Sequence, residues 1–332
     1  MRAGRLLTAW LLIFTTLLSA CSAGEKRAPL DPVTVQLKWV HQAQFAGFYA
    51  AEAHGFYEEQ GIDVSLNPGG IDYPPERILQ ELVEGDTQFA IVGGDQLLLA
   101  RSSGQPVVGV AVVFQKNPYV YVSLKDTGIK RPEDLVGKRV MVPDDAEVLH
   151  QALLRKLGIA PASVTRVSYE RDTAPLLNGD VDAQLVYRTG LGLAFEQTED
   201  ELNWMWIEDY GIQFYADTIV TTEALTENVS DLIARFLAAT MHGWRYAIEH
   251  PDEAVSLTLG HDATLDPARQ ARMTETQTPL VHTGEVPLGW MRPGVWHAMH
   301  DLLLDHGILA RPLDLDQVYT TEFLARAQRE VD

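Results

Sequence analysis

Val33-Thr-Val-Gln-Leu-Lys-Trp-Val-His-Gln-Ala-Gln-Phe-Ala-Gly-Phe-Tyr49 decides the architecture. Its first six residues alternate apolar and polar side chains, the period of a strand with one buried face, so a strand is predicted from Val33 to Lys38. A helix is predicted from Phe45 to Gln60, closed by Gly61, which takes the left-handed conformation of a helix C-cap without steric cost. Ile62 to Leu66 reads as a second strand, Pro74 to Glu84 as a second helix closed by Gly85, and Gln88 to Val92 as a third strand. Gly93-Gly-Asp95, a helix through Ser103 and a strand from Val107 to Phe114 come next. Strand and helix alternating across short turns predict an α/β fold, a parallel sheet flanked by helices.

The order then restarts. Tyr119 to Leu124, Arg139 to Val142, Val164 to Tyr169 and Val181 to Val186 read as strands, with helices near Glu147 to Leu157, Thr173 to Asn178 and Thr189 to Gln197. One more short strand is predicted from Thr218 to Thr222, and beyond Glu223 the pattern is helical. Asp231 to His250 carries apolar residues at helical spacing, and Pro251, Pro267 and Pro293 punctuate the helices beyond it. This organisation predicts two lobes, residues 33–115 with 220–332 and residues 116–219. They are joined by crossovers near Gln115 to Pro118 and Gln213 to Asp217. Open α/β sheets bind ligands at strand carboxyl ends, and clefts between domains are preferred pockets, so the interlobe cleft is the expected site.

The amino-terminal end carries a different message. Arg2 and Arg5 precede a mostly apolar run from Leu6 to Leu18, and Leu18-Ser-Ala-Cys21 completes it, the layout of a secretory signal cut before a lipid-accepting cysteine. Residues 1–20 are thus expected to be removed, Cys21 to be acylated, and residues 21–32 to form a tether, placing the protein outside the cytoplasm on a lipid anchor. Cys21 is the only cysteine in 332 residues. Disulfides, a cysteine nucleophile and cysteine-ligated metals or clusters are therefore excluded from the folded part. The formal charge of −20 argues against nucleic acid or anionic lipid as partners. His297 and His300 stand at helical spacing, yet no third ligand stands beyond them at zinc spacing, and neither a metal nor a cofactor is expected.

Residues Trp39 to Gln44 fall on the loop after the first strand, where side chains face the cleft. Trp39, Phe45 and Tyr49 offer flat apolar faces, and His41, Gln42 and Gln44 offer hydrogen bonds. That mixture suits a planar heterocycle with polar edges, stacked on rings and read by amides. Tyr187, at the end of its strand, is the best stacking candidate in the second lobe. Core packing remains the alternative for the aromatic residues.

Leu37-Lys-Trp39, Gly47-Phe-Tyr-Ala-Ala51, Gly55-Phe-Tyr-Glu58 and Gly61-Ile-Asp-Val64 together resemble the opening of the substrate-binding proteins of ABC importers, in the group that handles thiamine pyrimidine precursors, sulfonates and nitrate. The likeness continues through Phe89-Ala-Ile-Val-Gly-Gly-Asp95, Gly104-Gln-Pro-Val107, Lys130-Arg-Pro-Glu-Asp-Leu-Val-Gly-Lys138 and Phe236 to Pro251. With His41-Gln-Ala-Gln-Phe-Ala-Gly47 and Pro68-Gly-Gly70, it is most similar to the pyrimidine-precursor and riboflavin-binding branches. The resemblance implies a type II periplasmic-binding-protein-like fold, two lobes closing by a hinge, and a monomer that hands a small solute to a permease and its ATPase. It nominates Trp39, His41, Gln44 and Phe45 from the first loop and Gly93, Gly94 and Asp95 from the turn after the third strand. From the crossover and second lobe it adds Gln115, Asp144, Glu147 and Tyr187.

Bland roles stand beside these. Gly93 and Gly94 equally serve a tight turn, Asp95 a helix cap, and Glu147 a helix dipole. Eukaryotic relatives that synthesise the pyrimidine carry a cysteine-rich iron motif, absent from this chain, so binding rather than catalysis is expected. Asp95, Asp144, Asp145 and Glu147 crowd the predicted cleft, which favours a neutral or amine-bearing heterocycle over a sulfonate or nitrate. A riboflavin receptor, an anion receptor and a tethered sensory module are the alternatives.

Overall fold

The computed structural model describes residues 29–331. The signal, Cys21 and the tether up to residue 28 lie outside the described residues. Ten strands form two five-stranded sheets. The first contains β1 (Asp31–Gln36), β2 (Ile62–Asn67), β3 (Phe89–Val92), β4 (Val107–Val112) and β10 (Thr218–Thr222), in the order β2-β1-β3-β10-β4. The second contains β5 (Tyr119–Leu124), β6 (Arg139–Met141), β7 (Thr165–Val167), β8 (Ala183–Tyr187) and β9 (Leu202–Trp206), in the order β7-β6-β8-β5-β9. The chain passes between the sheets twice, from β4 to β5 and from β9 back to β10.

Neither sheet is purely parallel, which corrects the sequence expectation. β1 runs parallel to β2 and β3, but β10 lies antiparallel between β3 and β4, with Ile219 opposite both Ile91 and Ala111. β5 is likewise antiparallel to β8 and β9, whereas β6 is parallel to β7 and β8. The reason is the path of the chain. β5 enters the second sheet from the edge where β4 ends, and β10 re-enters the first sheet from the same side, so each must run away from the strands whose carboxyl ends meet there. That edge is therefore lined by strand ends of one direction and strand starts of the other.

Four local expectations also shift. β1 begins at Asp31, which takes Asp31 and Pro32 out of the tether, and it ends at Gln36, leaving Leu37 and Lys38 beyond it. The single helix expected over Phe45 to Gln60 is instead a 3-10 turn Ala43–Phe45 and two helices, Ala46–Ala53 and Phe56–Glu59. They part at Gly55, whose φ of 72° only glycine adopts cheaply. The segment Leu191–Glu201 winds as a 3-10 helix rather than an α-helix. β9 is an addition to the sequence reading, because Leu202–Trp206 lacks alternation and leaves Trp204 and Trp206 only half-buried.

The core beneath the first sheet is aromatic. The Phe89 and Phe236 rings stack at 3.9 Å between centroids, and Tyr57 stacks on Phe236 at 5.6 Å. Phe236 comes from the long helix Ser230–Glu249, which presses against Ala46–Ala53 and so holds the preceding turn, Ala43–Phe45, against the sheet edge. The same turn is clamped from a third direction. The Gln270 Oε1 atom accepts the Ala43 N–H at 2.8 Å, and the Gln277 amide donates to the Ala43 carbonyl at 2.7 Å. Both glutamines sit on helix Pro267–Val281. Three helices thus fix the loop after β1. Among the described residues no helix is long and apolar enough to cross a membrane.

Candidate functional site

A cleft enclosing about 660 Å³, part of it open to solvent, lies where the edges of the two sheets face each other. Lys38, Trp39, Gln42 and Gln44 line it from the loop after β1. Tyr119 enters from the start of β5, Asp145 from the loop after β6, Tyr169 and Arg171 from the loop after β7, and Tyr187 from the end of β8. Arg269 reaches it from helix Pro267–Val281. A narrower recess of about 240 Å³ continues inward past Lys38, Gly93, Asp95 and Asn117.

Lys38 is the centre of the polar network. Its ammonium lies 3.2 Å from Asp145 Oδ2, 3.8 Å from Asp217 Oδ1 and 3.2 Å from the Tyr187 hydroxyl. Lys38 is 9% exposed and Asp217 is 1% exposed. Burial works to lower the Lys38 pKa, but Tyr187, Asp145 and Asp217 outweigh it and hold the ammonium well above the usual lysine value. Asp217 is pushed up by burial and pulled down by Lys38, by the Gln44 amide and by Tyr187. Gln44 donates to Asp217 Oδ2 at 2.6 Å and accepts from the Gln42 amide at 2.6 Å, so both loop glutamines are oriented by a chain that starts at one buried carboxylate. On the opposite wall the Tyr119 hydroxyl donates to Asp145 Oδ1 at 2.8 Å, and the Tyr119 ring meets Tyr187 edge-on at 4.4 Å. Gln96 also crosses between the sheets, accepting the Gly93 N–H at 2.8 Å and donating to the Asp145 carbonyl at 3.1 Å.

The residues nominated from sequence divide. Trp39, Gln44 and Tyr187 line the cleft, and Gly93 and Asp95 line the inner recess. His41 does not line the cleft, its Nδ1 lying 3.1 Å from the Tyr49 hydroxyl and its ring 5.1 Å from that of His261. Phe45 and Tyr49 are core residues, 1% and 0% exposed, because the turn and helix that carry them face the sheet. Gly94 is buried in the core with its N–H donating to the Tyr215 carbonyl at 2.9 Å. Gln115 holds the crossover, donating to the Pro287 carbonyl at 2.8 Å and accepting from Thr283 at 2.8 Å. Asp144 and Glu147 both pair with Arg166, Glu147 at 2.7 Å, away from the cleft lining.

Two of the four carboxylates expected to repel an anion are engaged elsewhere, whereas Asp145 stays in the cleft lining and Asp95 in the recess. Asp144 and Glu147 serve Arg166, and Asp145 serves Lys38. Lys38, Tyr119, Tyr169, Arg171 and Arg269 line the cleft in addition to the residues nominated from sequence. Tyr169 carries a signal like that of Tyr187, since the strand expected over Val164 to Tyr169 ends on it, although β7 itself stops at Val167. Tyr119 carries none while the strands are taken as parallel, because a strand start then faces away from the site.

Asp95 supplies a pH-dependent test. Burial pushes its carboxyl up to about 6, against the pull of Lys38 and of the Gln96 backbone N–H. A carboxyl raised on folding binds its proton more tightly in the native state, so stability falls as pH rises through that window. At low pH, where both states are protonated, the penalty is absent. Asp95→Asn is accordingly expected to exceed the parent in stability by about 3 kcal/mol near pH 8 and to match it at about pH 3. Urea unfolding at the two pH values measures this; an unchanged difference across them contradicts the assignment.

The family model described as NMT1/THI5 like matches residues 42–254. The chain is 27% identical to the riboflavin-binding protein RibY of Chloroflexus aurantiacus, over 96% of this chain and 97% of that protein. It is 25% identical to the formylaminopyrimidine-binding protein of Halalkalibacterium halodurans, over 94% and 97% of the two chains. It is also 25% identical to the 4-amino-5-hydroxymethyl-2-methylpyrimidine phosphate synthase of Legionella pneumophila, over 88% and 92%. Among solved structures, the periplasmic aliphatic sulphonate binding protein SsuA of Escherichia coli superposes with a TM-score of 0.68 at 15% identity, covering 86% of this chain and 96% of that one. The fold is that of the periplasmic binding proteins.

Proposed function

This chain belongs to the NMT1/THI5-like family, and from that premise we propose that it is the solute-binding receptor of an ABC importer, taking a small planar heterocycle such as a thiamine pyrimidine precursor. The observation that carries the reading is the cleft, where four aromatic side chains, Trp39, Tyr119, Tyr169 and Tyr187, stand beside amides already oriented by Asp217. Rings offer stacking faces and fixed amides read ring nitrogens and carbonyls, so the lining is suited to a flat guest with polar edges.

Lobes 33–115 with 220–332 and 116–219 would close about the two crossovers, with Gln115 at one of them. The receptor would be exported, held by lipid at Cys21, monomeric, and would deliver its guest to a permease and its ATPase. Of the three relatives described above, two are named for binding and one for synthesis, and further relatives also carry the synthase name. We favour binding because Lys38, the cleft's buried amine, is held charged between two carboxylates rather than poised as a nucleophile. A ligand recovered chemically unchanged after prolonged incubation supports this, and turnover overturns it.

Calorimetry of the mature protein against pyrimidine precursors, riboflavin, sulfonates and nitrate tests the ligand class. Binding of simple anions alone contradicts the heterocycle. The likeness to RibY makes riboflavin the specific second reading. In either case Trp39→Ala is expected to weaken binding about tenfold, the value of one good stacking contact, and to abolish most of the ligand-induced fluorescence quench.

A further inference from the structure

In a chain of formal charge −20, the cleft concentrates positive charge. Among the described residues that line it, Lys38, Arg171 and Arg269 are cationic and Asp145 is acidic. Lys38 is matched by Asp145 and Asp217, which leaves the two arginines.

They come from different bodies. Arg171 belongs to the loop after β7 of the second sheet, and its guanidinium lies 5.4 Å from the Trp39 ring centroid. Arg269 belongs to the helix clamped onto the Ala43–Phe45 turn of the first sheet, and one of its nitrogens donates to the Gly190 carbonyl at 3.3 Å. Among the described residues no carboxylate forms an ion pair with either guanidinium. Asp266, close by in the chain, is occupied in capping its helix, where Oδ1 accepts the Arg269 backbone N–H at 2.7 Å. Desolvation, and after it the charge of Arg171, hold the Arg269 pKa below the usual arginine value, while Tyr169 and Asp266 pull it up. Two guanidinium groups brought together from opposite walls, beside a stacking ring, form a receptor for an oxyanion: each presents a planar fork that matches carboxylate or phosphate geometry.

We propose that the planar guest carries an anionic substituent, a carboxylate or phosphate, which Arg171 and Arg269 grip from the two walls while the ring lies at Trp39. The proposal rests on the heterocycle reading above and specifies its substrate class. The anion would also favour closure, since it replaces repulsion between the walls with attraction to both.

Matched pairs differing in that substituent test it: riboflavin against flavin mononucleotide, and uracil against orotate, by calorimetry at physiological ionic strength on the full mature chain. The anionic member of at least one pair is expected to bind about tenfold or more tightly than its neutral partner, and Arg171→Gln and Arg269→Gln each to erode that preference by about tenfold. Because both arginines line the cleft and Arg171 lies over Trp39, each variant is scored on the ratio of anionic to neutral affinity within a pair, so that a loss common to both members is not counted as loss of the anion contact. Neutral members binding as well as anionic ones, or a preference that survives both substitutions, overturns the anion assignment and leaves the heterocycle reading standing. If no member of either pair binds, the anion assignment falls, and the heterocycle reading is decided separately by the pyrimidine precursors in the calorimetric screen above. Circular dichroism and thermal melts confirm that the exposed substitutions leave the fold intact.

Discussion

Lys38→Met is expected to destabilise the ligand-free protein by about 3–5 kcal/mol near pH 8, the cost of leaving buried carboxylates without their cation. The side chain sits on the first-sheet wall while Asp145 sits on the second, with Asp217 on the return crossover, so one ammonium ties three segments. Methionine keeps the length and apolar stem, which confines the change to charge and hydrogen bonding. In its absence Asp217 and Asp95, both already raised by burial and both lowered by Lys38, rise further. Their protonation then relieves the strain, so the loss shrinks on acidification toward about pH 5. Lys38 itself does not titrate in this window, since its pKa is raised, and its contribution fades only as alkali deprotonates it. Adding Asp217→Asn to Lys38→Met should recover about half of the loss, because a neutral amide can keep partners with Gln44 and Tyr187. Urea unfolding of the two variants near pH 8 and pH 5 decides it. A loss below about 1 kcal/mol that ignores pH would mean that water, not Lys38, compensates these carboxylates.

How far the site is legible in the sequence depends on which forces act locally. Alternation from Val33, the left-handed glycines Gly61 and Gly85 and the restart at Tyr119 are short-range signals, and they place strands and helices close to where they form. Trp39, Gln44 and Tyr187 line the cleft because a strand end projects the residues beyond it toward the ligand edge. The aromatic density of the first loop is legible, but its orientation is not. Phe45 and Tyr49 turn inward because the chain winds at Ala43 and brings one face of the turn onto the sheet, a consequence of the packing of Ser230–Glu249, a helix distant in the chain. Lys38 reads as the last residue of a strand; its meaning depends on two carboxylates supplied from distant parts of the chain. Arg269 carries no local signature, and only the docking of its helix against Ala43 brings it to the cleft. The antiparallel entry of β5 and β10 is likewise a property of the route between sheets.

Helix docking around the same turn governs a second large effect. Gly243→Ala is expected to cost about 3 kcal/mol or more, although alanine is the better helix former by about 1 kcal/mol. Gly243 lies within Ser230–Glu249, where that helix touches Ala46–Ala53. A Cβ there would stand 2.1 Å from the Gly47 carbonyl oxygen and 2.7 Å from the Ala51 nitrogen, both backbone atoms that cannot swing aside. Gly47 meets the reciprocal constraint, its missing Cβ lying 2.2 Å from Trp244 Cγ. The two helices can accept a methyl group only by separating, and separation pulls the Ala43–Phe45 turn from its clamp and with it Gln44, and so Gln42, from Asp217. Stability and binding should therefore fall together. Gly260→Ala is the control: it lies in helix Pro251–His261 with no atom within 4 Å of a Cβ, so it should instead stabilise by up to about 1 kcal/mol and leave binding unchanged. Equal effects at the two glycines would show that helix propensity, and not the close approach, governs position 243. A Gly243→Ala protein that melts like the parent yet binds more weakly would place the helix contact in the service of the loop alone.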